Sequence, residues 1–185
     1  FEDKNYLSCL LEDFEKYEMK QAIKKAKVGL EESDRIVVEK PKVQMLSFEA
    51  VTLDTKEKLS SVLESIDKDS IVAFDTETTG LDTKTAKMVG FSFCFDKSKA
   101  YYVPVGHNYL GVAEQVELDD AILALKKLLT HNIVGQNLKF DFSLLYNQFD
   151  IEPIIPYADT MIMAWLSNPG SKIGLDTLAK TFFKY

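Results

Sequence analysis

The order of the apolar runs from residue 71 onward is the feature that most constrains the fold of this chain. Three short runs with β-type composition follow one another at Ile71–Phe74, Met88–Phe95 and Lys99–Val105. Such runs, separated by short polar segments, predict three neighbouring antiparallel strands. A helical pattern at 118–129, a strand-like run at 133–134 and further helical patterns follow. Strands first, and then strand alternating with helix, predict an α/β fold with a mixed sheet flanked by helices.

The first 43 residues differ in character from the rest. Residues 1–27 place apolar side chains at helical spacing, which predicts an amphipathic helical segment. Residues 28–43 are polar, lack a sustained period and contain Pro41, as is typical of an exposed connection. We therefore place a domain boundary near residue 43, with one main domain over 44–185. The apolar side of the N-terminal helix would consist of Leu7, Leu10, Leu11, Phe14 and Tyr17.

The main domain begins with a strand-like run over Gln44–Leu53 and a helical pattern over Lys56–Ile66. Either Asp54 or Thr55 could supply the oxygen that caps this helix at its N-terminus, because both residue types are favoured there. The same preference makes Asp159 the predicted N-cap of a later helix.

Composition excludes several functions. The net charge is −7, and Arg35 is the only arginine among 22 basic residues, so the chain lacks the basic surface of a protein that reads duplex DNA. The longest apolar runs are far shorter than the ~20 residues that span a bilayer, so no membrane segment is predicted. Cys9 and Cys94 are far apart and form no zinc-binding pattern, which indicates a reduced, cytoplasmic protein.

The first group of residues that suggests chemistry is Asp75 with Glu77, directly after the apolar run Ile71–Phe74. Carboxylates two residues apart on a strand lie on the same face, where they repel each other. A hard divalent cation would compensate both charges. The pattern alone favours a structural alternative, in which Asp75 opens a turn that Gly80 completes and Glu77 is simply solvated.

The second group is Asn137 with Asp141, where a short strand runs into a helical pattern. Residues four apart share a helix face. Here too a structural alternative is favoured when the pattern is taken alone, with Asn137 as the N-cap and Asp141 stabilised by the helix dipole. His107 and His131 have no Cys, Asp or Glu at ligand spacing, so we assign them no chemistry.

Several apolar residues near the C-terminal end of the sequence suggest packing rather than chemistry. Trp165, Phe182 and Phe183 are most simply explained as core residues, with no cofactor implied. Surface lysines such as Lys84 and Lys172 could touch phosphates, but lysines are usually just solvated.

Together, the two acidic groups and their neighbours resemble a known family. A strand-borne Asp-x-Glu and a later Asn-x-x-x-Asp are similar to the first two motifs of the 3′→5′ proofreading exonuclease domain of bacterial DNA polymerase I (family A). The likeness covers about 44–185, and residues 11–23 look like the end of the preceding 5′-nuclease domain. The matching blocks are IVAFDTETTGLD, VGFSF, AYYVPVGHNYL, VGQNLKFD, YADTMIMAWLSN and LDTLAKTF.

The resemblance implies a ribonuclease-H-like fold and a two-metal-ion exonuclease that uses Mg²⁺, with Mn²⁺ possible. It would remove mismatched nucleotides from a single-stranded 3′ end of DNA during replication and repair. Its partners would be the polymerase and 5′-nuclease domains of the same parent chain. The catalytic and metal-binding residues would be Asp75, Glu77 and Asp141, with Asp75 bridging both ions. The substrate-binding residues would be Thr78, Leu81, Gln136 and Asn137.

Leu81 matches the apolar wedge that the family places beside the terminal base, although a loop leucine covering the sheet is the simpler explanation. We identify no example of the family's third motif, Tyr-x-x-x-Asp or His-x-x-x-Asp on a later helix, anywhere in these 185 residues. We therefore expect these 185 residues to be weakly active or inactive on their own. The alternatives are an RNA-trimming relative such as ribonuclease D and a non-catalytic scaffold or DNA-end-binding module of the polymerase.

Overall fold

A computed structural model describes residues 48–183 of the chain. All of them lie within one compact unit, Gln44–Tyr185. The predicted helical segment and connection of residues 1–43 lie outside the described residues, as does the start of the strand predicted from residue 44. The proposed domain boundary therefore stays a prediction.

The described residues form a six-stranded mixed sheet and five helices. The elements in chain order are β1 (Glu49–Thr52), α1 (Lys56–Glu64), β2 (Ile71–Thr78), β3 (Met88–Cys94), β4 (Lys99–Pro104), α2 (Leu118–Leu128), β5 (Asn132–Gly135), α3 (Leu138–Phe149), β6 (Ala158–Asp159), α4 (Thr160–Ser167) and α5 (Leu175–Phe183). The strand order in the sheet is β1-β4-β3-β2-β5-β6. The predicted antiparallel arrangement of β2, β3 and β4 is confirmed, while β5 pairs with β2 in parallel, β6 with β5 and β1 with β4.

The central strand β2 is longer than its apolar run. It continues through the polar residues to Thr78, because these pair with β3 along the whole edge. Its burial alternates, so Phe74 and Thr76 are buried whereas Asp75 and Glu77 are exposed on the opposite face. The strand period of two therefore places both acids on one face of the sheet, as predicted.

The core lies between the sheet and the helices α1, α2 and α3. Thr55 caps α1 by accepting a bond from the N–H of Lys58 at 3.4 Å, which confirms one of the two predicted caps. Burial of a large apolar side chain is worth about 1.5–3 kcal/mol, so these helices account for much of the stability. Their buried side chains are Leu59 and Leu63 of α1, Ala121, Ala124, Leu125 and Leu128 of α2, and Leu138, Phe142, Leu144 and Leu145 of α3.

The helices α4 and α5 bury no side chain among the described residues. Trp165, Phe182 and Phe183 are 53%, 69% and 67% exposed, so the prediction that they are core residues was wrong. The two helices pack loosely on each other around a cavity of about 270 Å³. None of the helices within residues 48–183 is long and apolar enough to cross a membrane.

Candidate active site at the carboxyl edge of the sheet

The site begins where β2 ends. Glu77 pairs with Gly90 of β3, but the next residue, Thr78, pairs with Met88, so Val89 is an additional residue on β3. This β-bulge interrupts the regular ladder beside Glu77. Bulges of this kind often occur next to active sites, where they redirect a side chain or end the pairing.

Asp141 lies in the first turn of α3 and is only 2% exposed. Its Oδ1 accepts two hydrogen bonds from Thr76, one from the backbone N–H at 2.9 Å and one from the hydroxyl at 2.6 Å. These bonds fix the carboxylate against the central strand. Burial raises the pKa of Asp141 above its usual range, and the two Thr76 bonds oppose that rise.

The carboxyl of Asp75 is affected by the negative charges of both other acids. Partial burial of its carboxyl, followed by the negative charges of Asp141 and Glu77, raises the pKa of Asp75 to about 6. The residue is exposed overall, but it lines a cavity of about 370 Å³. Asp141 and Glu77 therefore lie close enough to Asp75 for their charges to act on its carboxyl.

The turn between β5 and α3 is held by a residue from another part of the chain. Asn137 adopts the left-handed conformation, with φ 62°, and its side chain makes no capping bond, so the expectation that Asn137 caps α3 was wrong. Asp159 caps instead: its carboxylate accepts from the N–H of Asn137 at 3.2 Å and of Leu138 at 2.8 Å.

Asp159 also caps its own helix, as predicted. Its Oδ1 accepts from the backbone N–H groups of Met161 at 2.9 Å and Ile162 at 3.3 Å. A single carboxylate, 8% exposed, therefore serves the N-termini of both α3 and α4. The sequence predicted only the capping of α4 by Asp159. The capping of α3 was missed, because Asp159 is 21 and 22 positions away from the residues whose N–H groups it accepts from.

Gly135 is required at the end of β5 because the chain is crowded there. A Cβ at this position would lie 2.5 Å from Leu138 Cδ2 and 2.7 Å from the Phe74 carbonyl oxygen. Contacts under about 3 Å force something to shift. The missing side chain lets the first turn of α3, and with it Asp141, approach β2 closely.

Gln136, a predicted substrate-binding residue, is engaged by internal contacts. Its side-chain NH₂ donates to the carbonyl of Ile173 at 2.8 Å, and its Oε1 accepts from the hydroxyl of Thr160 at 2.5 Å. Gln136 lines the same cavity as Asp75. It therefore lies beside the acids while holding the segment before α5.

The last residue of β2 and the loop that follows it are Thr78 and the segment with Leu81, the other two predicted substrate-binding residues. Thr78 donates its hydroxyl to the carbonyl of Gly80 at 2.7 Å, and Asp82 organises the following turn by accepting from the N–H of Lys84 at 3.0 Å. Leu81 is 91% exposed at the tip. A leucine that covered the sheet would be buried, so that simpler explanation of Leu81 was wrong.

The helix that carries Asp141 also fastens this loop. Gln148 of α3 accepts from the N–H of Met88 at 3.1 Å and donates to the carbonyl of Ala86. Asn147 donates to Thr83 at 3.2 Å. The loop of Leu81 is therefore tied at Thr83 and Ala86 to the helix that carries Asp141, through contacts that no local sequence pattern indicates.

The three acids are suited to a divalent cation by their chemistry. Carboxylate oxygens are the ligands that Mg²⁺ prefers. The ion pairs found within residues 48–183 lie elsewhere, between Lys56 and Asp120, Lys58 and Asp54, and Lys99 and Glu49. The described residues contain no group of three or more His, Cys, Asp or Glu side chains already arranged to hold a metal ion.

One pair does have the Tyr-x-x-x-Asp spacing, Tyr146 with Asp150, so the expectation that no such pattern occurs was wrong. Both are at the C-terminal end of α3, where Asp150 forms the left-handed C-cap. Asp141 lies in the first turn of the same helix, so Asp150 is about 13 Å away from it along the helix axis. This pair therefore takes no part in the acidic site.

The mixed sheet flanked by helices defines the fold class, that of the ribonuclease-H-like exonucleases. Escherichia coli RNase D, an exoribonuclease, superposes with a TM-score of 0.55 at 17% identity, over 75% of this chain and 34% of its own. The EXO domain of Aedes aegypti Nibbler superposes with a TM-score of 0.57 at 12% identity, over 74% of this chain and 69% of its own. Brucella melitensis NrnC with bound Mg²⁺ superposes with a TM-score of 0.51 at 15% identity, over 75% of this chain and 62% of its own.

Residues 50–185 match the 3′–5′ exonuclease family of family A DNA polymerases, and the chain belongs to that family. DNA polymerase I of Borreliella burgdorferi is 38% identical over 139 residues, which cover 72% of this chain. DNA polymerase I of Pseudomonas aeruginosa is 37% identical over 122 residues, or 63% of this chain. The matches span only 14% and 13% of these relatives' own lengths.

Proposed function

We propose that this chain is the editing part of a DNA polymerase I and removes mismatched nucleotides from the single-stranded 3′ end of DNA. The observation that carries the proposal is the position of Asp75, which lines an open cavity while the negative charges of Asp141 and Glu77 act on its carboxyl. Because the curated relatives described above are bacterial DNA polymerases I, we infer DNA as the substrate. The polymerase and 5′-nuclease domains of a cytoplasmic parent chain would be its partners.

We propose two Mg²⁺ ions as cofactors of the three acids, with Mn²⁺ as a substitute. When bound, two such ions supply the activation of water and the stabilisation of the leaving 3′-oxygen. The donor set supports this choice, and Mg²⁺ is present in the NrnC structure of the same fold. In this chain Asp141 would help to hold an ion or its bound water, with its carboxylate kept in place by the two bonds from Thr76.

The residues around the acids would orient the strand. Leu81, exposed at the tip of a fastened loop, would separate the terminal base from its neighbour, and Thr78 would lie beside the same nucleotide. Asn137 would contact the single-stranded path, since its side chain is not used for capping. Gln136 would support that path through Thr160. Apolar contacts of this kind tolerate any base, as editing requires.

We also propose that residues 1–185 alone cleave weakly. Two metals held by three carboxylates have few protein ligands, and no group of three or more ligands is ready to hold an ion within the described residues. Binding of the ions would therefore depend on high metal concentration or on the substrate phosphate.

The test is release of labelled mononucleotide from a 3′-labelled single-stranded oligodeoxynucleotide in Mg²⁺ or Mn²⁺. Asp75→Asn should abolish release, since it removes the carboxylate that both neighbouring acids influence. Asp69→Asn is the matched control, because Asp69 is exposed just before the amino end of the same strand. An extended protein that includes the following part of a full-length relative should cleave faster.

Loss of cleavage with Asp75→Asn, but not with Asp69→Asn, would establish the exonuclease assignment for this chain. Equal cleavage by both variants would overturn it. If neither the extended protein nor the shorter chain releases mononucleotide, the domain is a non-catalytic scaffold or end-binding module. Preference for an oligoribonucleotide would instead favour the RNA-trimming alternative.

A further inference from the structure

A cluster of aromatic side chains lies beside the acids and has no role in the core. The hydroxyl of Tyr102 and Nε2 of His107 are 2.5 Å apart, and their rings are tilted at 53° with centroids 5.9 Å apart. Tyr109 meets the His107 ring edge-on, with centroids 5.9 Å apart at 67°. Tyr109 is 61% exposed. We call Tyr102, His107 and Tyr109 the aromatic cluster.

The sheet register places Tyr102 on the face that carries the acids. Tyr102 of β4 pairs with Ser92 of β3, and Ser92 pairs with Asp75 of β2, so the three side chains project from the same face. Gly90, the partner of Glu77, has no side chain. A Cβ there would collide with the Tyr102 hydroxyl, which shows that this hydroxyl covers the space next to Glu77.

The charge relations agree with that position. Burial first, and then the negative charge of Glu77, raise the pKa of Tyr102 above its usual range. Asp141, by contrast, belongs to α3, which follows β5 on the other side of β2. The aromatic cluster and Asp141 therefore flank Asp75 and Glu77 from opposite sides.

The loop that carries His107 and Tyr109 is held rigidly at its start. The carbonyl of Val89, the bulge residue, accepts from the N–H groups of Val105 and Gly106, both at 2.9 Å. The side chain of Gln115 bonds both backbone groups of His107, accepting from its N–H at 2.8 Å and donating to its carbonyl at 2.9 Å. The imidazole is thus oriented before any ligand arrives, which lowers the entropic cost of binding.

We propose that the aromatic cluster is a nucleobase-contacting surface, on which Tyr109 stacks against a base near the 3′ end while the Tyr102–His107 pair fixes the orientation of the surface. This inference rests on the proposed function, because the acids must hold the neighbouring phosphate. An acidic chain with a single arginine binds single strands poorly by charge alone. Stacking on aromatic rings supplies affinity that requires no basic residue and favours no particular base.

Binding of a 5′-fluorescein-labelled oligothymidylate to residues 1–185 tests the proposal, with fluorescence anisotropy as the readout. The probe carries a phosphorothioate at its last linkage, and Mg²⁺ is present. Tyr109→Ala should weaken binding about tenfold, the usual effect of losing one stacked base. Tyr109→Phe keeps the ring and should bind like the wild type. Leu110→Ala is the matched control, because Leu110 is the next residue of the loop and is fully exposed.

Photocrosslinking gives a second readout. A probe with 5-iododeoxyuridine near its 3′ end should crosslink to Tyr109 or His107, as mapped by mass spectrometry. Binding that is unchanged in Tyr109→Ala, or crosslinks confined to other aromatic residues such as Trp165, would overturn the proposal. So would an equal loss in Leu110→Ala. Binding that is unchanged in Tyr109→Ala would overturn the cluster alone. Absence of binding by the wild type, together with absence of cleavage by the extended protein, would overturn the proposed function as well.

Discussion

Replacing Asp159 by alanine should destabilise the domain more than any other single loss of a helix cap described here. The substitution removes acceptors for four backbone N–H groups, those of Asn137, Leu138, Met161 and Ile162. Loss of an N-cap costs about 1 kcal/mol. The 2.8 Å bond to the N–H of Leu138 is buried and charge-assisted, so its loss adds about 2 kcal/mol. The bonds at 3.2 and 3.3 Å are long and add little.

The expected decrease in the free energy of unfolding is therefore about 3 kcal/mol, or a fall in Tm of about 10 °C. Urea denaturation followed by far-UV circular dichroism measures it. Asp159→Asn keeps one acceptor oxygen and should lose about half as much. Thr55→Ala is the control, because Thr55 makes a single 3.4 Å capping bond on an exposed surface. If Asp159→Ala costs no more than Thr55→Ala, the carboxylate does not join the two helices as the structure indicates.

Two further predictions concern the face of the sheet that carries the acids. The pKa of Asp75 rises from 3.8 to about 6 on folding, so the free energy of unfolding of the metal-free protein should fall as the pH rises between these two values. The loss should be less than about 1 kcal/mol, because the residue is exposed. Asp75→Asn should remove this pH-dependent loss of stability. The urea midpoint of the variant should therefore differ more from that of the wild type near about pH 7 than near about pH 5. Gly90→Ala should cost about 1–3 kcal/mol in urea unfolding, because its Cβ would meet Tyr102 and the Val103 carbonyl at 2.8 Å; a neutral outcome would show that Tyr102 does not cover Gly90.

The strands could be predicted because their signal is local. The runs at 71–74, 88–95 and 99–105 gave the antiparallel part of the sheet nearly to the residue. The run at 71–74 was too short only because β2 continues through Asp75–Thr78. Its signal there is alternation, with Thr76 buried between two exposed acids, rather than apolar composition.

The turn before α3 could not be predicted, because its partner is distant in sequence. Asparagine is a favoured N-cap residue, yet Asn137 has an αL backbone and makes no side-chain capping bond, and Asp159 accepts from the helix N-terminus instead. The Thr76–Asp141 bonds span 65 residues and likewise leave no local pattern. The acids themselves were predicted, but the contacts that hold them were not.

The burial of side chains near the C-terminal end of the described residues also could not be predicted from the sequence. The apolar pattern of α4 and α5 shows that each helix has a face suited to packing, but a pattern does not reveal which surface receives it. Trp165 was therefore expected in the core and is half exposed instead. His107 was set aside because it has no metal-ligand spacing, whereas its partner is the hydroxyl of Tyr102.

The position of Trp165 decides what a fluorescence experiment on this protein reports. It is the only tryptophan of the chain, and it lies on α4, a helix without a buried side chain. Segments with few buried contacts open locally at a free energy well below that of global unfolding. Tryptophan emission should therefore change at lower urea than circular dichroism, and the two curves would not coincide. Emission would measure the fraying of α4, while the sheet that carries Asp75 and Glu77 is still folded.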